Sequence, residues 1–143
     1  MGIFDLFGTT ASGWLTDRYD PRKLLFVYYA LRGLALIYLP YSDFSFYSLA
    51  IFAVFFGLDW IATVPPTLRL ATEAFGDREA PIVFGWIVAG HQLGAASAAW
   101  MAGLVRESQG SYLMAFVAAG ATGLIAAVIA LLIGRERVVA QPA

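Results

Sequence analysis

The sequence predicts an all-α integral membrane fold, and three observations carry that prediction. Sixty per cent of its 143 residues are hydrophobic and 13% are charged, whereas soluble domains run at roughly 45–50% apolar and about 25% charged. The mean hydropathy is +0.72. The charges cluster, which leaves apolar blocks of the length a membrane helix needs, about 17–25 residues. The sustained alternation of a membrane barrel is missing.

Taken in order, residues 1–15 are apolar apart from Asp5. At 1.5 Å per residue they reach about 22 Å, short of a hydrocarbon core about 30 Å thick. They lack the basic start and the cleavage site of a secretory leader. They read as a truncated transmembrane helix, so the chain is expected to begin in mid-span. Residues 16–23 gather Asp17, Arg18, Asp20, Arg22 and Lys23 into a polar turn. Transmembrane helices follow over 24–40, broken only by Arg32, and over 44–66, which contains Asp59. The tandem Pro65–Pro66 is expected to end or bend the second of these. Residues 67–81 form a polar connection with Arg69 and Arg78, and Pro81 suits the first position of the next helix. That helix covers 82–105, with His91 its one ionisable residue, and a last one covers 112–134 with no charge. Residues 135–143 are a polar tail. The architecture is four complete spans and one partial span.

The loops fix an orientation. Arg18, Arg22, Lys23, Arg69, Arg78, Arg135 and Arg137 fall on one side of the expected membrane, and Arg106 alone on the other. Basic residues stay on the cytoplasmic face. The turn 16–23, the connection 67–81 and the tail are therefore expected in the cytoplasm, and the protein in the cell inner (plasma) membrane as a multi-pass protein. The lipid bilayer is its first partner.

Other function classes find little support. A net charge of −1 offers no basic face to neutralise phosphates, so nucleic acid is excluded as a partner. Without cysteine there is no thiol chemistry or Cys-based metal site, and one histidine does not make a His-rich centre. No nucleophile–base pairing at helical spacing, phosphate-cradling loop or metal-ligand cluster is present. The reading is no enzyme, no cofactor and no metal.

The stretch "GWLTDRYDPRK" gives the chain a family. It resembles the cytoplasmic signature of the major facilitator superfamily, Gly-x-Leu-Ala-Asp-Arg-x-Gly-Arg-Lys, which joins the second and third helices of each six-helix half. Gly13, Leu15, Asp17 and Arg18 match in register and Arg22 supplies a matching base, while Asp20 and Pro21 replace a glycine and a base. The resemblance covers the whole chain: a loop between helices eight and nine should be followed by four spans and a cytoplasmic tail. It implies the C-terminal part of a secondary transporter that moves a small-molecule substrate by alternating access, with the N-terminal half as its missing partner. A weaker resemblance to the monocarboxylate and oxalate/formate carriers points to an organic anion. An inert membrane remnant of a truncated carrier is the alternative. Gly13, Asp17, Arg18 and Arg22 take the conformational gating role, with Gly13 where backbones approach closely. Asp17 is placed to meet the positive end of the helix opening at Pro81.

Within the spans, Asp5, Arg32, Asp59 and His91 share a layer about 9–15 Å from the cytoplasmic ends of their helices. A charge at mid-membrane costs about 2.5–3.5 kcal/mol on insertion scales, so such residues face the bundle interior or a watery cavity, or pair with one another. All four are candidates for substrate binding or proton coupling. Asp59 leads, because the resemblance puts it on a cavity-lining helix. His91 can carry a proton near neutral pH, and Arg32 is read mainly as a structural partner of Asp5. Gln92 reads as interhelical glue. Rows of small residues (Gly90, Gly94, Ala98, Ala102 and Ala115, Ala119, Gly123, Ala127) are expected to let helices pack closely.

Overall fold

In the computed structural model the backbone is described for residues 2–59 and 62–134, and side chains for the same residues except 2–5 and 58–59. Five helices follow one another: α1 (Gly2–Thr16), α2 (Pro21–Tyr41), α3 (Phe46–Asp59), α4 (Val64–Gln109) and α5 (Leu113–Leu132). Among the described residues there is no strand. Three helices, α2, α4 and α5, are long and apolar enough to cross a membrane, and Phe46–Gly57 is a shorter apolar helix. The fold is an all-α partial membrane bundle.

The turn between α1 and α2 is closed by local chemistry. Arg18 and Tyr19 donate their N–H groups back to the Leu15 carbonyl at 3.0 and 2.8 Å. Asp20 then caps α2, its carboxylate accepting from the Arg22 N–H at 3.0 Å, with Pro21 in the first turn. An acidic N-cap followed by proline is a strong helix start, so the two residues that depart from the family signature open the helix themselves.

The block 44–66 is not one helix. It divides into α3, a turn at Ala62 and Thr63, and the start of α4. Pro65 and Pro66 stand in the first turn of α4, where an N–H has no partner inside the helix and proline is tolerated. The tandem prolines therefore begin a helix instead of ending one.

The connection 67–81 is helical too. The break in this region falls at Gly76, with φ 78° and ψ 165°, between segments 64–75 and 77–109. That backbone region is open essentially to glycine alone. Pro81 consequently lies inside the second segment and not at its first position.

Helix packing is tightest between α2 and α5. A Cβ on Gly33 would stand 2.7 Å from the Gly120 carbonyl oxygen and 3.1 Å from the Leu124 Cγ. A Cβ on Gly120 would collide with Ile37, and one on Gly123 would lie 3.1 Å from the Gly33 Cα. Of the small rows, only the Gly123–Ala127 end meets this crossing. Among the described residues, Gly90, Gly94 and Gly103 have nothing within 4 Å of a Cβ position, and residues 91–100 are all exposed. Apolar clefts lie along α5: one of about 500 Å³ between it and the second segment of α4, and one of about 490 Å³ where it faces α2 and both segments of α4. The close packing expected of the row 90–102 is not made among the described residues: its Ala98 and Ala102 face α5 across an open cleft and not in direct contact.

Candidate functional site

Two regions concentrate the residues singled out by sequence. The first is the end of the bundle that holds the signature turn. Asp17 Oδ1 lies 3.9 Å from Arg69 Nη1, and Arg69 Nε donates to Glu73 Oε1 at 2.8 Å, one helical turn on. The side chains are 77%, 49% and 43% exposed, so the Asp17–Arg69 contact contributes at most about 1 kcal/mol. Its worth lies in position: it links the turn to the first segment of α4. The sequence expectation sets Asp17 against the helix opening at Pro81; the structure pairs it with Arg69, a residue that reads in sequence only as a loop charge. The signal was there, since Arg69 and Glu73 have the i, i+4 spacing of a helical ion pair.

Arg18 stacks over the Trp14 ring at 3.9 Å from its centroid, a geometry that favours the cation. Arg22 Nη2 donates to the Gly134 carbonyl at 2.9 Å, which ties the start of α2 to the residues just after α5, while its Nε is buried with no hydrogen-bond partner among the described residues. The signature turn, Arg69 and the end of α5 thus occupy one end of the bundle. Among the described residues nothing lies within 4 Å of a Cβ built on Gly13. The close approach expected there is not made among the described residues; α1 packs inward through Ser12 and Thr16, both buried.

The second region is a cavity of about 560 Å³ between α2 and the two segments of α4. Tyr29 and Arg32 line it from α2, Thr63, Val64 and Thr67 from the start of α4, and Phe84, Ile87, Val88, His91 and Gln92 from the second segment. Arg32 lies with its guanidinium carbon 6.0 Å from the Tyr29 ring centroid. The cavity thus carries a fixed cation, an imidazole, a carboxamide, two threonines and a phenol on otherwise apolar walls. Such a set can hold a small anion: the guanidinium takes a carboxylate in fork geometry and the hydroxyls and amide fix its orientation.

Of the four intramembrane candidates, the structure brings Arg32 and His91 to one cavity. Asp5 lies in α1 and Asp59 closes α3; their side chains lie outside the described residues, and so does the expected Asp5–Arg32 pair. Gln92 lines the cavity. Tyr29, Thr63 and Thr67 were missed by sequence reasoning. Tyr29 is three residues, and so nearly one turn, before Arg32, and that spacing could have found it.

A family profile described as Major Facilitator Superfamily matches residues 1–143. Monocarboxylate transporter 13 of Rattus norvegicus is 31% identical over 121 residues, which cover 83% of this chain and 28% of that protein. The chain therefore spans little more than a quarter of the length of the relative it matches. No solved structure matches it.

Proposed function

This chain belongs to the Major Facilitator Superfamily, and we propose that it is the C-terminal part of a secondary carrier that moves a small organic anion across the inner membrane. The carrying observation is the cavity that unites Arg32 with His91. Arg32 anchors the carboxylate of the substrate, a role we place ahead of a purely structural pairing with Asp5. His91, with Asp59, handles a coupled proton. The likeness to a monocarboxylate transporter supports an anion with one carboxylate.

Alternating access moves one repeat bundle against another around a site between them. The matched relative is a much longer protein, so the transport unit in this reading includes an N-terminal half that supplies the other wall. Asp17, Arg18 and Arg22 act at the end of the bundle away from substrate, where the Asp17–Arg69 contact can break and re-form between states. The end that holds residues 17–23, Arg69 and Gly134 is the cytoplasmic one in this reading, consistent with the excess of basic residues there.

The test is uptake of radiolabelled L-lactate, pyruvate and formate by cells expressing the assembled carrier. Uptake of at least one is expected to rise as external pH falls, and Arg32→Gln to abolish it with membrane expression unchanged. Uptake that survives Arg32→Gln at the native rate contradicts the assignment.

A further inference from the structure

We propose that Ser12 is a positioning residue for the Arg32–His91 cavity, holding the wall formed by Thr63 and Thr67 against α1. The inference rests on the reading of that cavity as the substrate site. Ser12 is 0% exposed, and its Oγ donates to the Ala62 carbonyl at 2.5 Å, across 50 positions of chain. Ala62 is 1% exposed and lies in the turn that precedes α4.

The chemistry of the turn explains why a hydroxyl is needed. A carbonyl in the turn just before a helix can accept only from a donor that the first helical turn leaves unused, such as the N–H four residues on. Four residues after Ala62 stands Pro66, which has no N–H. Pro66 is itself fully buried, so water does not reach the carbonyl from that side. Inside a bilayer an unmet carbonyl must find its partner in the protein. Ser12 is that partner.

The bond reaches the cavity in one step. Thr63, next in sequence, lines the cavity, and its carbonyl accepts both the N–H of Thr67 at 3.2 Å and its Oγ1 at 2.7 Å. Thr67 lines the cavity as well. On the other side of Ser12, Thr16 Oγ1 donates to the Ser12 carbonyl at 2.7 Å, one residue before Asp17. Asp17 meets Arg69 at 3.9 Å, two residues beyond Thr67. α1 therefore grips the start of α4 at Ala62 and at Arg69, and the threonine wall lies between the two grips. A shift of the signature turn is passed to that wall through Ser12.

The chain has no cysteine, so single cysteines report local structure directly. The experiment measures the reaction rate of a charged methanethiosulfonate reagent with Thr63→Cys, and with Val88→Cys on the opposite wall, in membranes. Ser12→Ala should change the Thr63→Cys rate at least several-fold and leave Val88→Cys at its original rate. Ser12→Thr, which keeps the hydroxyl, should restore it. So should Ser12→Ala combined with Pro66→Ala, because alanine gives back the missing N–H. An unchanged Thr63→Cys rate in Ser12→Ala, or an equal shift at both positions, overturns the proposal. If Ser12→Ala alone does not accumulate, the double variant must accumulate with native rates, and its failure also overturns it. Added L-lactate should slow Thr63→Cys labelling. Absence of that protection, with the Ser12 effects intact, counts against the substrate reading and leaves the Ser12 linkage standing.

Discussion

Arg32 and Asp43 show how differently two charges of this chain are used. Arg32 lines a cavity within a span, where a guanidinium gains most from a bidentate anion. Arg32→Lys is therefore expected to bind a carboxylate at least tenfold more weakly, since the loss of a charged hydrogen bond is worth about 1.5–3 kcal/mol; equilibrium binding of L-lactate checks it. Asp43 lies in the turn before α3, outside the spans. Its carboxylate accepts from Ser48 Oγ at 2.5 Å and from the Ser45 N–H at 3.1 Å. The Ser48 hydroxyl first, then Ser45, hold its pKa below the usual value of 3.8. A lowered carboxylate pKa adds stability that is fully present above the unfolded value and is lost as pH falls through the folded one. Thermal unfolding should thus show a small loss below about pH 3.8 that Asp43→Asn lacks. A variant that loses stability over the same window as the native chain contradicts the assignment. At this scale the sequence was a partial guide. Arg32 and His91 stood out because ionisable groups are rare in a span, and the structure puts both on one cavity. Ser12 was silent, because a serine among small residues carries no sign of a partner 50 positions away.

Between elements, glycine separates tight contacts from open faces. Gly33→Ala places a methyl 2.7 Å from the Gly120 carbonyl, and overpacking of this kind costs about 1–3 kcal/mol. Gly90→Ala and Gly94→Ala meet nothing within 4 Å and relieve a flexible residue inside a helix, a gain of about 0.5–1 kcal/mol. Denaturation of the three variants in detergent should give opposite signs; equal losses would show that the 90–102 face is packed after all. Gly76→Ala should cost about 1–3 kcal/mol from its backbone angles alone. The helical blocks were legible in outline: 24–40 became Pro21–Tyr41 and 112–134 became Leu113–Leu132. Their limits come from charge and apolar length, which sequence shows directly. The break before α4 and the bend at Gly76 were not legible. A proline pair reads equally as a stop or a start, and a glycine's φ is set by what surrounds it.

For the whole molecule, the seven-to-one division of basic residues between the expected two sides and the gathering of the signature turn, Arg69 and Gly134 at one end lead to a topology that can be tested. Reporter fusions within 109–111 should report outside the cell and fusions after Val138 inside; the reverse pattern contradicts the orientation. The family was legible through the resemblance of the signature turn to a known motif, and the order of spans after it through charge clustering and apolar length. The cavity was not, because it depends on how α2 meets two segments of one bent helix. The central claim is that this cavity binds a carboxylate through Arg32, and equilibrium binding of L-lactate and of its uncharged amide to the assembled carrier tests it most directly. The account predicts that lactate binds and the amide does not, that Arg32→Gln abolishes lactate binding, and that Arg106→Gln, beside Tyr112 and outside the cavity, leaves it intact. Lactate binding that survives Arg32→Gln, or equal affinity for the amide, would contradict it.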